Sequence, residues 1–190
     1  MMDAANFDIV ETLKNGCAVR IRSIRAHDKN RIFEAFRNLE PESIYARFFY
    51  HKKTLTDDEL KAVTEVDFED AVALVVAIGV GENETIIGVG LYAASEDASA
   101  QRSAEVAFMV EEDYHGQGIA SLLLRHLASI AREKGLSHFE AEVLSKNKAM
   151  LTVFSHSGLP MKQSARSGTV RVCLSLTADM ISISEGGEKP

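Results

Sequence analysis

Residues 105–134 contain the feature that most restricts the fold of this chain. Apolar residues alternate at Val106, Phe108 and Val110, which predicts a strand. The strand is soon followed by His115-Gly116-Gln117-Gly118-Ile119-Ala120, after which apolar residues recur at helical spacing. Two glycines let the backbone pass close to a ligand, and the free N–H groups at the start of a helix attract an anion. The pattern therefore predicts a phosphate-binding turn between a strand and a helix.

Two general kinds of phosphate-binding turn can be weighed against these residues. A P-loop needs Lys and then Ser or Thr after its second glycine, whereas Ile119 and Ala120 follow Gly118 here. A dinucleotide-binding turn fits better locally, because Ser121 stands where its third small residue belongs and Glu140 follows about 20 residues further on. Against it, only one strand–helix–strand unit can be built around the turn. Glu142 is an equivalent candidate for the acidic residue of that motif.

The turn also resembles the pyrophosphate loop of the GNAT acetyltransferases, whose pattern is Gln or Arg, two residues, Gly, one residue, then Gly or Ala. His115-x-x-Gly118-x-Ala120 matches this pattern, with His in place of Gln or Arg. The segment 147–154, followed by Gly158-Leu159, is similar to the Asn-led segment of the same family. The two motifs lie at the separation that the family shows.

Further stretches extend the resemblance over most of residues 12–176. Residues 19–28 resemble the first strand and the first helix start of the superfamily. Residues 39–49, continued by 66–68 and 73–75, are similar to the GNAT domain of bacterial protein lysine acetyltransferases. The sequence is thus identified as a GNAT-like acetyltransferase, with that narrower group as the nearest resemblance.

Composition predicts one domain. A chain of 190 residues, 46% hydrophobic and 26% charged, can bury a single substantial core. We expect a short N-terminal extension at 1–11, one domain at 12–176 and a loosely ordered tail at 177–190. No apolar run could span a bilayer and the N-terminus lacks a basic region, so we expect a cytoplasmic protein without membrane anchor or secretion signal.

Charge and cysteine content narrow the possible partners. A formal charge of −7 is unfavourable for nucleic-acid binding and favourable for a cationic partner. The alternative is that the negative charge only keeps the protein soluble. The two cysteines have no metal-ligand spacing, so we expect no metal. Nothing in the sequence indicates an oligomeric state. We expect no additional regulatory or acyl-CoA synthetase domain, and therefore expect control through a partner or through substrate supply.

The element pattern predicts an α/β (α+β) fold with a mixed, twisted sheet and helices on both faces. Strands are predicted at 18–24, 71–79, 85–92, 104–110, 138–144 and 169–176. Helices are predicted to start near residues 28, 41, 57, 119 and 147, and residues 95–102 form a surface loop. The strands at 71–79, 85–92 and 104–110 form an antiparallel meander, and a crossover helix makes 138–144 parallel to 104–110. The resemblance implies that this parallel pair splays and admits an acyl carrier.

The reaction that the resemblance implies is transfer of an acetyl group from acetyl-CoA to an amine. An alkylammonium has a pKa of about 10.4, so it must lose a proton before its nitrogen can attack. Glu105 matches the position of the general-base glutamate of several GNAT lysine acetyltransferases. Its position in the strand predicts that it projects to the face opposite Val106 and Phe108. A solvated strand glutamate remains the alternative.

The same resemblance assigns carrier-binding roles. Backbone groups of Met109 and Val110, near a bulge of the family's strand, are expected to contact the pantetheine arm, and one N–H to stabilise the oxyanion. The residues expected at the pyrophosphate are His115, Gly116, Gln117, Gly118, Ile119 and Ala120. Asn147 either lies near the ligand or serves only as a helix N-cap. Phe154 stands where many GNAT enzymes have a tyrosine that protonates the thiolate.

The acceptor is expected to be a lysine side chain on a protein. Residues 57–70 contain seven acids and a single base, Lys61, and such a surface would attract an ammonium group. The acids are Asp57, Asp58, Glu59, Glu65, Asp67, Glu69 and Asp70. A solvated acidic segment remote from the site is the alternative. Three other functions stay open: a small-molecule amine N-acetyltransferase, an inactive acyl-CoA-binding module and a dinucleotide-dependent oxidoreductase.

Overall fold

The protein, described by a computed structural model over residues 3–95 and 102–177, forms a mixed sheet with helices on both faces. In these residues eight strands lie in the order β1-β2-β3-β4-β5-β6-β8-β7. The strands are β1 (Asp8–Thr12), β2 (Ala18–Ser23), β3 (Ala71–Ile78), β4 (Thr85–Ser95), β5 (Ser103–Val110), β6 (His138–Leu144), β7 (Met161–Arg166) and β8 (Thr169–Ser175). The helices are α1 (Lys29–Arg37), α2 (Pro41–Phe48), α3 (Asp57–Thr64), α4 (Ile119–Glu133) and α5 (Lys148–Ser155).

The hydrophobic core lies on both faces of the sheet, because the central strand β3 is apolar along its length. Its residues from Val72 to Ala77 are all buried. On one face, Leu123 and Leu127 of α4 pack on the sheet. On the other, Ile32 of α1 and Leu60 of α3 fill a second cluster. The predicted three-layer arrangement and the antiparallel meander β3-β4-β5 are confirmed.

Helix α4 lies very close to β4 because two residues of that strand beneath the helix are glycines. A Cβ atom on Gly88 would stand 2.8 Å from the Cγ2 of Ile119, and one on Gly90 would stand 3.1 Å from the Cβ of Leu123. Any side chain at Gly88 would therefore push the first turn of the helix outward. The two glycines fix the start of α4, and with it the turn at Gly118, directly above the sheet.

Strands β5 and β6 are parallel, as predicted, but they pair over only three residues. The ladder joins Ser103, Ala104 and Glu105 to His138, Phe139 and Glu140. Beyond it, β5 continues against β4 as far as Val110, and β6 continues against β8 as far as Leu144. We call the resulting opening, between residues 106–110 and 141–144, the fork. A mixed sheet with one parallel pair also differs from the mostly parallel sheet of a dinucleotide-binding domain.

Several features differ from the sequence-based expectations. Asp8–Thr12, which lie largely in the expected N-terminal extension, form the edge strand β1 against β2. Strand β7 was not predicted, because Met161 is its only residue that is not exposed. The bulge expected in β5 is absent, since the β4–β5 register runs evenly from Ser95↔Ser103 to Gly88↔Val110.

Two expectations fall outside the described residues, namely most of the surface loop at 95–102 and nearly all of the tail at 177–190. No helix in the described ranges is long and apolar enough to cross a membrane.

Candidate active site

The fork opens into a cavity of about 580 Å³ that runs between the turn before α4 and helix α2. Side chains and backbone from β5, β6, α2, α4 and α5 line it. The predicted site residues along its walls are Glu105, Met109, Val110, His115, Gly116, Gly118, Ile119, Ala120, Asn147 and Phe154. Gln117 is the exception and lines a neighbouring groove of about 490 Å³. The structure therefore brings ten of the eleven predicted residues together at one cavity.

The turn before α4 presents backbone donors from a left-handed conformation that suits glycine. Gly116 and Gly118 have φ angles of 73° and 92°. Two N–H groups of the turn are already used, since His115 donates to the Glu112 carbonyl at 3.0 Å and Gln117 donates to that of Tyr114 at 3.4 Å. The Gln117 N–H, which was expected to donate to the pyrophosphate, thus already has a partner within the turn. Ile119 and the next residues of the first helical turn keep free N–H groups, a favourable site for an anion.

The His115 ring is tied to the end of β5. Its Nε2–H donates to the Val110 carbonyl at 2.9 Å, which fixes the turn relative to the strand. The ring therefore links the end of β5 to the turn before α4. His115 also lines the cavity, and its Nδ1 atom is not used by this bond.

The pairing of β5 decides which backbone groups point into the fork. The Glu111 N–H donates to the Ile87 carbonyl at 3.0 Å, which marks this pair as hydrogen-bonded across β4 and β5. Alternation in an antiparallel ladder then directs the backbone of Met109 to β4 and that of Val110 and Phe108 to the fork. The register therefore agrees with the expected direction of the Val110 backbone, and it favours Phe108 over Met109 as the second residue whose backbone points into the fork.

Helix α5 contributes one polar and one apolar residue to the cavity. Asn147 caps the helix, because its Oδ1 accepts from the Met150 N–H at 3.1 Å, and it also lines the cavity. The N-cap role of Asn147 is thus observed, and its place in the cavity wall is consistent with the ligand-proximal role. Phe154 is 1% exposed and its ring lies 6.1 Å from that of Phe108. Phe154 therefore packs against the strand that borders the fork and has no proton to donate.

Glu105 is an exposed residue at the fork, on the face that its place in the strand predicts. Val106 and Phe108 are buried under α4 and α5, whereas Glu105 lies on the opposite face, where α2 packs on β5. In the described part of the chain its carboxylate forms no hydrogen bond and no ion pair. A carboxylate that is free in this way can accept a proton from a ligand in the cavity.

Arg47 of α2 is a functional candidate that sequence reasoning missed. It lines the same cavity as Glu105, and its guanidinium lies 5.0 Å from the centre of the Phe48 ring. Burial lowers the pKa of Arg47, while the nearby charge of Glu105 acts in the opposite direction. Within residues 3–95 and 102–177 it forms no hydrogen bond or ion pair. Its spacing from Glu105 in sequence is too long for any local motif to have revealed it.

Lys14, in the loop between β1 and β2, is a second residue that was missed. Its N–H donates to the Gln117 carbonyl at 3.1 Å, and its Cε would lie 3.7 Å from a Cβ atom on Gly118. It lines both the cavity and the neighbouring groove. The described residues give its ammonium no ion-pair partner, so a positive charge stands beside the anion-binding turn. Tyr114 and Ser121 also line the cavity and were not predicted for it.

The acidic segment 57–70 is largely neutralised by cations from other elements. Its ion pairs are Glu59–Lys52 at 2.6 Å, Glu65–Lys29 at 2.7 Å, Glu69–Lys134 at 3.2 Å and Asp70–Arg102 at 2.6 Å. Asp67 instead accepts the N–H groups of residues 69–71. None of the seven acids lines the cavity. The predicted acidic docking surface is therefore much weaker than the sequence indicates.

In the part of the chain that the structure describes, no cluster of His, Cys, Asp or Glu could hold a metal ion.

Comparison with known proteins agrees with this geometry. Acetyltransferase PA5475 of Pseudomonas aeruginosa is 28% identical over 141 residues, which are 74% of each chain. Acetyltransferase Pat of Mycolicibacterium smegmatis is 30% identical over 138 residues, 73% of this chain but only 40% of Pat. The crystal structure of the GNAT domain of S. lividans PAT superposes with a TM-score of 0.79 and 34% identity, over 88% of this chain and 96% of that one. The family model described as the acetyltransferase (GNAT) family matches residues 33–158, and the chain belongs to that family.

Proposed function

We propose that this acetyltransferase moves the acetyl group of acetyl-CoA to a lysine side chain on a protein, and that Glu105 removes the proton from the attacking amine. Acetyl transfer itself follows from membership of the family, and acetyl-CoA is its co-substrate. The observation that carries the assignment of Glu105 is its place in the cavity. It stands at the fork with a free carboxylate, across the sheet from the anion-binding turn.

The donor would lie along the cavity from the turn to the fork. The N–H groups of Gly118, Ile119 and Ala120 would bind the pyrophosphate, and the backbone of Phe108 and Val110 would pair with the pantetheine arm. The Val110 carbonyl already accepts a hydrogen bond from His115, so the backbone group of Val110 that is left for the donor is its N–H. This N–H would stabilise the negative charge that develops on the thioester oxygen.

The chemical step needs a base and a leaving group. The amine nitrogen attacks the thioester carbonyl carbon, the C–S bond breaks, and the proton of the amine passes to Glu105. A lysine ammonium with a pKa of about 10.4 is almost fully protonated at neutral pH, so this proton transfer is required. A thiolate whose conjugate acid has a pKa of about 8.5 can leave unprotonated, which is consistent with the phenylalanine at position 154.

The lysine acceptor is supported by similarity rather than by charge. Residues 39–75 resemble the GNAT domain of bacterial protein lysine acetyltransferases, and the chain is similar to acetyltransferase Pat and to the GNAT domain of S. lividans PAT. The acidic segment 57–70 gives little further support, because most of its carboxylates are already paired.

A direct test uses acetyl-CoA that is isotopically labelled in its acetyl group. The protein is incubated with this donor and with proteins from a cell extract, and labelled acetyl-lysine is mapped by mass spectrometry. We expect labelled lysines that are missing when Glu105→Gln is used. Binding of acetyl-CoA without any transfer would instead indicate an inactive acyl-CoA-binding module.

A further inference from the structure

We propose that Arg47 recognises the acceptor, and that the preferred acceptor carries a carboxylate close to its reactive amine. This inference rests on the proposed function of the cavity and specifies its substrate chemistry. It is carried by one juxtaposition: an unpaired guanidinium on α2 and a free carboxylate on β5 line the same cavity on the same side of the sheet.

Arg47 differs from the other arginines that are shielded from solvent. In the described ranges these are Arg22 and Arg31, and both bind oxygen atoms of the protein. Arg22 donates to Asp28 at 2.8 Å, and Arg31 donates to the Gly81 carbonyl at 2.9 Å. Arg47 is half-buried, its guanidinium lies 5.0 Å from the centre of the Phe48 ring, and it has no hydrogen bond or ion pair within the described residues. Its donors are therefore left for a molecule that enters the cavity.

An unpaired charge that is shielded from water is costly, so it is stabilised by any ligand that supplies an oxygen anion. The planar guanidinium fits a carboxylate best, because two parallel N–H groups meet two oxygens. Glu105 does not supply this partner, since the two side chains form no ion pair in the described residues. Burial also lowers the pKa of Arg47, which agrees with a guanidinium that is only partly solvated.

The location of Arg47 separates it from the donor phosphates. Those phosphates are expected at the turn before α4, where Lys14 supplies a cation. Arg47 lies on α2, near Glu105 on the opposite face of β5. A ligand here would place its amine at Glu105 and its carboxylate at Arg47. An acceptor with basic neighbours only would instead be repelled by the arginine.

Two sources can supply such a carboxylate: an acidic residue beside a lysine in a protein, or the α-carboxylate of a free amino acid. The experiment compares two matched pairs of acceptors. One pair is Nα-acetyl-lysine and its carboxamide. The other is a pair of blocked peptides that contain Lys-Asp and Lys-Asn. Each is tested with wild type, Arg47→Gln, Arg47→Lys and the exposed control Arg37→Gln, whose position lies on α1 away from the cavity.

For wild type and Arg37→Gln we expect kcat/KM to favour the carboxylate member of at least one pair by about tenfold or more, the effect of a charged hydrogen bond. Arg47→Gln should lose this preference while its affinity for acetyl-CoA stays unchanged, and Arg47→Lys should keep part of it. Which pair shows the preference identifies the source.

Equal rates for both members of both pairs in wild type would overturn the proposal. So would an Arg47→Gln variant that slows every acceptor by the same factor. If no acceptor is acetylated, the proposed function fails, but calorimetric binding of the same acceptors to the CoA-loaded protein still tests Arg47. If Arg47→Gln does not fold, the wild-type preference and Arg47→Lys decide the outcome.

Discussion

Glu105 and Glu140 face each other in the last pair of the parallel ladder between β5 and β6. Glu140 is held by Arg171 at 2.5 Å, whereas the carboxylate of Glu105 has no hydrogen bond or ion pair within the described residues. Glu140 is thus paired with a neighbouring side chain, whereas Glu105 is free at the point where the strands separate. This difference supports the proposal that Glu105, and not its neighbour, is the base.

The first prediction follows from that pair. Glu105→Gln should keep its affinity for acetyl-CoA but lose turnover by on the order of 10²–10⁴-fold near neutral pH, the usual effect of removing a positioned base. Steady-state kinetics and calorimetry measure the two quantities. Glu140→Gln is the matched control and should retain its rate. An unchanged rate in Glu105→Gln would remove this residue from the mechanism.

The second prediction concerns the leaving group. Phe154→Tyr introduces a phenol at a buried position beside Phe108, and we expect turnover to change little because the thiolate leaves without protonation. Turnover is measured across neutral pH together with thermal stability, since a buried hydroxyl without a partner can destabilise the protein. A tenfold or greater increase in turnover would show that protonation of the thiolate limits the present enzyme.

The third prediction tests the cation at the turn. Lys14→Gln should weaken acetyl-CoA binding about fivefold, the effect of losing one partly solvated charge contact. The rate with S-acetylpantetheine, which lacks the phosphates, should not change. Lys53→Gln removes an exposed lysine outside the cavity and serves as the control. If Lys14→Gln slows both donors alike, Lys14 has a structural role in the hairpin and not a phosphate contact.

Local chemistry allowed much of this fold to be predicted from the sequence. The capping box that begins α3 is one example, because Thr56 and Glu59 bond each other's N–H groups at 3.2 and 2.9 Å, as their spacing predicts. Strand β6 was predicted at its observed limits, because apolar residues alternate along it. By contrast, β7 is too exposed to show an apolar pattern.

The residues predicted for the candidate site come from two stretches of sequence, 105–120 and 147–154, that carry recognisable motifs. Lys14 and Arg47 reach the cavity from elements far from the turn in sequence, so no local spacing could reveal them. The direction of the Met109 backbone depends on the register with β4, which a single sequence does not specify. The sequence overstated the negative charge of the acidic segment 57–70, because the cations that pair with it, such as Lys134 and Arg102, also come from distant parts of the chain.

The fourth prediction concerns acid stability. Arg22 is buried and binds Asp28 at 2.8 Å and Glu84 at 2.5 Å. Burial alone would raise the pKa of Asp28, but the hydrogen bonds from Arg22 outweigh it and hold this pKa below its ordinary value. The same arginine lowers the pKa of Glu84. The carboxylates of Asp28 and Glu84 therefore bind protons more readily in the unfolded chain than in the folded protein.

This sign means that the ion pairs stabilise the protein above the ordinary carboxylate pKa and lose their effect as pH falls through the lowered values, below about pH 4. Asp28→Asn should lower the free energy of unfolding at neutral pH by about 3 kcal/mol or more and should flatten its decline in acid. Urea unfolding at several pH values measures both, with the exposed Asp58→Asn as control. Parallel pH curves for wild type and Asp28→Asn would contradict the prediction.

The central claim is that the acceptor is a lysine on a protein, and the most direct measurement compares kcat/KM values at low salt. Purified proteins that become labelled in a cell extract are compared with free lysine, spermidine and amino-sugar antibiotics, all with acetyl-CoA as donor. We predict that at least one protein lysine is acetylated with a kcat/KM well above that of every small amine. If a free small amine is acetylated with a kcat/KM far above that of every protein, the enzyme is a small-molecule N-acetyltransferase and the lysine assignment is wrong.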